Sequence, residues 1–415
     1  MKIAIVGSGI AGLTCAYLLN RQHDIQVFEA SDWIGGHTHT VDVQVDGRSY
    51  AIDTGFIVFN DWTYPNFIRL LEQIGVGFKP TEMSFSVSDP ATGVEYNGHD
   101  LNTLFAQRSN LLSPAFWGML RDILRFNRQS LDDLANNRIS ADTTLGQYLD
   151  SNGYGRRFIE HYIVPMGSAI WSMSLADMLG FPLQFFVRFC KNHGLLSVSD
   201  RPTWQVIEGG SRSYVAPLTE SFAERIRLNC PVSRVVRDQD GVTLHSAAGA
   251  ERFDKVIFAC HSDQALALLD QASEKESEIL GALPYANNDV VLHTDTRLLP
   301  KRKLAWASWN YRLGGPSDQP AAVTYDMNIL QGIDSDTTFC VSLNQTAAID
   351  PSKILARFQY AHPQYSLAGT AAQARWEELL GAQHTYYCGA YWANGFHEDG
   401  VVSALRVARA FGETL

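Results

Sequence analysis

Between Lys2 and Glu29 the sequence holds a pattern that few folds accommodate. Lys2 to Val6 is a short apolar run, Gly7-Ser8-Gly9-Ile10-Ala11-Gly12 follows, an apolar helical stretch continues to about Leu19, and a second run covers Ile25 to Phe28. This reads as β-α-β. Gly7 allows the tight turn, Gly9 lets backbone approach a pyrophosphate, and Gly12 lets the helix pack against the sheet. The phosphates then meet free N–H groups at the positive end of the helix. Glu29 stands 17 residues beyond Gly12, where a carboxylate accepts hydrogen bonds from ribose hydroxyls and repels a 2′-phosphate. The unit predicts a Rossmann-like α/β domain that binds a dinucleotide other than NADP.

Composition removes several alternatives. The chain has 415 residues, 46% hydrophobic and 19% charged, which is globular material for two to three folding units. Its 33 Lys and Arg against 44 Asp and Glu give a net charge of −11, which argues against a nucleic-acid partner. The six cysteines, Cys15, Cys190, Cys230, Cys260, Cys340 and Cys388, show no metal-like spacing, so no metal and a reducing compartment are expected. No run reaches the roughly 18 apolar residues of a spanning helix, and Ile3-Ala4-Ile5-Val6 lacks a signal-peptide pattern. The expected location is the cytoplasm, with attachment to the inner face of the cell membrane left open.

Val41 to Val45 and Ser49 to Ile52 alternate across Asp46-Gly47, a hairpin turn that leads into Asp53-Thr54-Gly55. From about 61 to 204 helix-forming, aromatic-rich stretches dominate, broken by prolines. After Glu208-Gly209-Gly210 a helical segment is expected through Glu224, followed by strands near Val232 to Val236, Val242 to Leu244 and Val256 to Ala259. Further strand-like stretches run from Asn287 to about Trp376, and a last helix from Val401 to Phe411. The division is one domain from 1–60, 205–285 and 380–415, with a second inserted as 61–204 and 286–379.

Three phrases carry a family likeness: Gly-Gly-His-Thr-His-Thr at 35–40, Asp-Thr-Gly-Phe-Ile-Val-Phe-Asn at 53–60 and Gly-Phe-His-Glu-Asp-Gly at 395–400. With the N-terminal unit, they make the chain resemble the flavin-dependent amine oxidase, phytoene desaturase and protoporphyrinogen oxidase superfamily. Its fold is similar to that of p-hydroxybenzoate hydroxylase. Within it the likeness is nearest to bacterial amine-oxidase-like flavoproteins associated with cyclopropane, unsaturated or furan fatty acid formation. The resemblance implies a Rossmann-like FAD-binding domain with an inserted α+β substrate domain. It places Gly7, Ser8, Gly9, Ile10, Ala11 and Gly12 on the FAD pyrophosphate and Glu29 on the ribose. Gly35 and Gly36 fall on the ribityl path, Val232 on the adenine, and His397, Glu398 and Asp399 at the flavin. Ala30, His37, Thr38, Thr54, Gly55, Phe56, Gly389 and Val401 are further expected contacts.

The residues of the C-terminal turn support a donor site for the charge that a reduced flavin gathers; plain capping by Asp399 is the other reading. Two positions depart from the amine oxidase pattern: His37 replaces an Arg, and 287–293 lacks the Lys that many amine oxidases place under the flavin. No Cys lies in 391–400, so the FAD is expected to be non-covalent.

Substrate groups are sought in strands that alternate aromatic and amide side chains. Trp309, Asn310, Tyr325 and Asn328 form an expected roof over the flavin, or simply fill core. His397 and Glu398, or His37 and His39, are positioned for proton relay or for a hydrogen-bonding role, and Tyr325 serves only if its pKa falls. Two basic-aromatic stretches, Leu101 to Ser130 and Phe181 to Leu196, either meet an anionic lipid surface or bury their aromatics. The expected activity is hydride removal from an apolar substrate, as in desaturation of a membrane fatty acyl chain. Amine oxidation, redox-neutral isomerisation and a flavin-holding accessory role beside a lipid methyltransferase are the alternatives.

Overall fold

The computed structural model describes residues 1–314, 318 and 321–415. The opening β-α-β is realised as Lys2–Val6, the helix Ile10–Leu19 and Asp24–Phe28. These strands pair in parallel, Ile3 opposite Ile25, and join a five-stranded sheet. Its order is Ile226–Arg227, Asp24–Phe28, Lys2–Val6, Lys255–Phe258 and Thr385–Tyr387. Strands near both ends of the chain and two from its middle therefore meet in one layer. Ile3, Ala4 and Ile5 are fully buried, as expected of a parallel strand covered on both faces. Each such Ile contributes about 1.5–3 kcal/mol relative to exposure. The helix Ile10–Leu19 packs against the C-terminal helix His397–Ala410. A three-stranded antiparallel sheet, Val232–Asp238, Gly241–Ser246 and Gly249–Phe253, covers the other face of the parallel layer.

The second body is built around a seven-stranded sheet. Its order is Ile354–Pro363, Tyr285–His293, Cys340–Leu343, Val323–Asp326, Trp309–Arg312, Phe85–Asp89 and Val94–Asn97. The last two strands come from the first insertion and complete a sheet made mostly by the second. Helices Pro114–Ala135, Leu145–Ser151, Val164–Trp171 and Leu183–Asn192 pack into the same core. The architecture is an α/β fold with a Rossmann-like dinucleotide region and an inserted α+β domain.

Several elements differ from the sequence reading. The 61–204 region contains strands as well as helices, because Phe85-Ser86-Val87-Ser88 alternates and pairs with Val94–Asn97 across Thr92-Gly93. Tyr64, Phe67, Leu70 and Leu71, assigned from sequence to the second unit, pack in the core of the first. The helix expected through Glu224 breaks into a 3-10 turn Ser211–Tyr214, a helix Val215–Thr219 and a second turn Ala223–Arg225. The last helix starts at His397 rather than Val401, since the Asp399 carboxylate accepts the Phe396 N–H and closes the first turn. Phe186, Val187 and Phe189 of the second basic-aromatic stretch are buried in the core, while Arg188 and Lys191 are exposed. No helix among the described residues is long and apolar enough to cross a membrane.

Candidate functional site

A cavity of about 760 Å³ runs from the N-terminal glycine turn to the seven-stranded sheet. Gly7, Gly9, Ile10 and Ala11 form one end of it, facing Gly35, Gly36 and His37. The three glycines of the turn do different work. A Cβ on Gly12 would sit 2.0 Å from the Gly7 carbonyl oxygen, and one on Gly7 2.9 Å from the Ala259 carbonyl oxygen. At Gly9 a Cβ meets no atom within 4 Å, although the residue lines the cavity. The space in front of Gly9 is therefore a cradle that a side chain would occupy. Gly9 also begins the helix without any side-chain cap, which leaves its first N–H groups for a ligand. A Cβ on Gly36, at φ 60°, would sit 3.1 Å from the Gly9 Cα, so the second glycine pair packs closely on the first.

Glu29 is fixed beside this cradle. Its Oε2 accepts the Ser8 N–H at 2.8 Å and the Ser8 hydroxyl at 2.6 Å, and its Oε1 accepts the Ser31 N–H at 2.8 Å. Ala30 and Val232 line the same end. Uncapped helix N–H groups, a fixed carboxylate and the strand residue Val232 thus stand together, an arrangement that suits a dinucleotide.

His397 also lines the cavity, while its Nε2 lies 3.0 Å from the Thr38 hydroxyl and 3.2 Å from the Tyr214 hydroxyl. Its ring stacks on Phe56. Burial, with His37 nearby, holds its pKa well below that of a free histidine, so the imidazole is neutral. These contacts make His397 a hydrogen-bonded strut. Gly55 and Gly389 also line the cavity. Thr38 and Thr54 stand one layer behind, Thr54 donating to the His39 carbonyl and meeting the Tyr360 hydroxyl at 2.9 Å.

Glu398, expected at the flavin, points away. Its carboxylate accepts the Asn66 N–H, the Asn66 amide and the Phe67 N–H, capping the helix Pro65–Gln73 that has no cap of its own. Asp399 accepts from Asn394 and Phe396, so its observed role is capping, and burial raises its pKa to about 6. Both open onto a separate pocket of about 370 Å³ with Trp62 and His193. Val401 is fully buried in the helix core.

Of the expected roof, Trp309 and Tyr325 line the cavity, edge to face at 5.0 Å. Asn310 and Asn328 do not. The Asn310 amide is consumed by Ser86, Ala307 and Thr324, and that of Asn328 by Ser335, Thr337 and Phe339. Burial moves the Tyr325 hydroxyl further above its ordinary pKa, the opposite of what a base needs. His39 sits beside the site, its Nδ1 2.7 Å from the Tyr360 hydroxyl and its ring stacked on Trp33.

Beside His37, which the sequence reading named, the structure places two histidines that it missed, His261 and His362. His37, His261 and His362 all line the cavity, with the His37 ring 6.2 Å from His261 and 5.5 Å from His362. Burial lowers all three, His261 and His362 to about 3. The His37 Nε2 is buried without a hydrogen-bond partner among the described residues. The tautomer of His362 follows from its neighbours. The Asn344 amide donates to the Ala321 carbonyl and to the Asn288 Oδ1, and the Asn288 amide N–H then donates to His362 Nδ1 at 2.9 Å. Nδ1 being an acceptor, the neutral ring carries its proton on Nε2. Asn288 thus lies in the stretch that lacks a Lys and holds a neutral N–H donor at the cavity. Trp171, Tyr365 and Phe396 complete the aromatic wall. Among the described residues, no group of three or more His, Cys, Asp or Glu is arranged to hold a metal.

The family profile described as flavin containing amine oxidoreductase matches residues 10–328. The chain is 37% identical over 76 residues to the zeta-carotene desaturase of Solanum lycopersicum, 18% of this chain and 12% of that protein. It thus spans about an eighth of that relative. A putrescine oxidase double mutant from a redesign of cofactor binding superposes with a TM-score of 0.72 at 15% identity, covering 99% of this chain and 98% of the other. A fatty acid isomerase from P. acnes that produces CLA superposes at 0.68 and 16%, covering 99% and 98%. At such identities the two structures establish the fold.

Proposed function

The chain belongs to the flavin containing amine oxidoreductase family, an FAD-dependent enzyme family, and on that premise we propose that it removes hydride from an apolar, uncharged substrate, dehydrogenating an acyl chain. One observation carries this reading. Among the described residues, the only carboxylate on the cavity wall is Glu29, already committed to Ser8 and Ser31 at the ribose end. The remaining wall is uncharged: aromatics that include Trp171, Trp309, Tyr325, Tyr365 and Phe396, neutral imidazoles, and the amides of Gln264, Gln359 and Asn394. An ammonium ion would lose its water there without a counter-charge, whereas a hydrocarbon segment loses nothing.

The residues present fit FAD held without a covalent bond. The N–H groups after Gly9 would receive the pyrophosphate, Glu29 the ribose hydroxyls, and Val232 the adenine. When bound, FAD supplies the hydride acceptor. The chain's own part is to orient and to dry. Trp309 and Tyr325 close the cavity on the side of the sheet, His397 braces the turn through Thr38 and Tyr214, and His362 presents an N–H donor of fixed tautomer.

A second reading, oxidation of an amine in its neutral form, draws support from the family and from the fold shared with putrescine oxidase. Anaerobic photometry of the FAD-loaded protein separates the two. Bleaching of the flavin by a phospholipid or fatty acid, and not by primary amines, is the expected result. Bleaching by an amine alone overturns the acyl reading, and turnover of an acyl chain without any acceptor consumed identifies a redox-neutral isomerase instead.

A further inference from the structure

The outer face of the helix Pro114–Ala135 combines two chemistries that seldom share one surface. Trp117, Arg121, Leu124 and Arg128 are spaced by four, three and four residues, so they form one stripe along the helix. All four are exposed, Trp117 at 50% and Leu124 at 53%. The turn before the helix continues the stripe. Leu112 there is 87% exposed, Arg108 is exposed beside it, and the Trp117 indole N–H is tied to the Leu111 carbonyl at 2.9 Å. Of the twelve exposed large hydrophobic side chains among the described residues, five fall between Leu101 and Leu124. The inner face, with Phe116, Met119 and Phe126, is fully engaged in the core.

The charge of this surface is opposite to that of the molecule. Residues 101–131 carry four arginines and one acid, in a chain of net charge −11, and the next acids along the helix, Asp132 and Asp133, are paired with Arg138. The one acid within 101–131, Asp122, is buried and accepts the Gly155 N–H. Among the described residues no ion pair holds Arg108 or Arg128, and Arg121 reaches a carboxylate only at 3.8 Å.

We propose that this stripe, Arg108, Leu112, Trp117, Arg121, Leu124 and Arg128, docks the protein on an anionic phospholipid bilayer. Charge complementarity selects that occupant. The leucines and the indole enter the acyl boundary, and the arginines stay at the headgroup phosphates. A second copy of the chain would set arginine against arginine across a two-fold interface. A soluble polyanion would leave Leu112 and Leu124 in water. The inference rests on the patch alone and stands whatever the substrate proves to be.

The test is sedimentation of the FAD-loaded protein with vesicles of phosphatidylcholine, with and without 30% phosphatidylglycerol, at 0.1 M and 0.5 M NaCl. The expected result is binding to the anionic vesicles only, lost at the higher salt. Arg108→Gln/Arg121→Gln/Arg128→Gln should lower partitioning by roughly a hundredfold, at about fivefold per arginine. Leu112→Ser/Leu124→Ser should lower it about tenfold or more with flavin content unchanged, which shows that the variants are folded. No binding to the anionic vesicles, equal binding to neutral ones, or variants that bind like the parent would each overturn the proposal. So would a dimer in light scattering that Leu112→Ser/Leu124→Ser dissociates.

Discussion

The imidazole of His397 lies flat on the phenyl ring of Phe56, centroids 3.5 Å apart and 12° from parallel. The pair joins the first turn of the last helix to the loop that follows the N-terminal hairpin. The backbone around it is pinned as well, since the Phe56 N–H donates to the His37 carbonyl at 2.7 Å. One stack therefore aligns three loops that border the cavity.

Replacing His397 tests that alignment. His397→Ala removes the stack and the hydrogen bonds to Thr38 and Tyr214 together, and should cost about 2–4 kcal/mol of stability. His397→Gln, which keeps a polar tip, should recover part of the loss. FAD affinity by fluorescence titration should fall about tenfold or more in His397→Ala. Unchanged affinity in both variants would remove His397 from the site.

Gly9 and Gly12 should separate folding from cofactor binding. Gly9 has extended backbone, φ −66° and ψ 175°, and no atom lies within 4 Å of where a Cβ on it would stand. Gly9→Val is expected to leave the melting temperature of the cofactor-free protein within about 2 °C while abolishing FAD uptake. Gly12→Ala drives a methyl into the Gly7 carbonyl and should destabilise the fold by about 1–3 kcal/mol before any ligand is added. If the Gly9→Val protein binds FAD normally, the cradle lies elsewhere.

The amide relay through Asn288 makes a statement about one proton. Nitrogen-15 NMR of histidine-labelled protein should show His362 as the Nε2–H tautomer. Asn288→Leu removes the donor to Nδ1 and should mix the two tautomers, with a cost of about 1–3 kcal/mol for the unpaired groups left behind. A parent spectrum with the proton on Nδ1 would refute the relay.

Acid should unfold the cofactor-free protein early. Burial keeps His37 and His397 neutral and lowers His193 and His293 to about 4 and His261 and His362 to about 3. Each binds a proton only after unfolding once the pH drops below about 6.5, so each contributes stability above that value and loses it on acidification. Asp53, Asp326 and Asp399 work the other way, since burial raises them to about 6 and they take up protons while folded. His23 and His39 are lowered as well, so eight histidines oppose three aspartates, and unfolding takes up protons and stability falls as the pH drops from 6 to 5, by about 1.4 kcal/mol per pH unit for each net proton. Urea midpoints at pH 7.5, 6.5 and 5.5 measure this slope, and a flat series would contradict it.

Legibility in the sequence tracked the range over which each residue finds its partners. Gly7 to Gly12 and Glu29 were readable because their chemistry is local: the turn, the helix start and the Ser8 and Ser31 contacts lie within about thirty residues. Glu398 looked equally suited to the flavin, yet its carboxylate serves N–H groups at Asn66 and Phe67, more than three hundred residues away. Asn310 and Asn328 misled for the same reason: an amide in a strand reads identically whether it faces a ligand or latches neighbouring backbone. Tyr360 and His362 were missed because their direction depends on the register of Ile354–Pro363 against Tyr285–His293, which only pairing establishes. The solvent-facing and core-facing parts of the basic-aromatic stretches had one composition and parted only in the packed structure.

The parallel layer that begins with Lys2–Val6 gains its outer strand, Thr385–Tyr387, from nearly four hundred residues downstream. At a synthesis rate of roughly 5–20 residues per second, the glycine turn waits about 20–80 s for the strand and the final helix that enclose it. Loading of the FAD that the cavity is proposed to hold must therefore follow synthesis of that strand, and a nascent chain stalled before it should emerge from the ribosome empty.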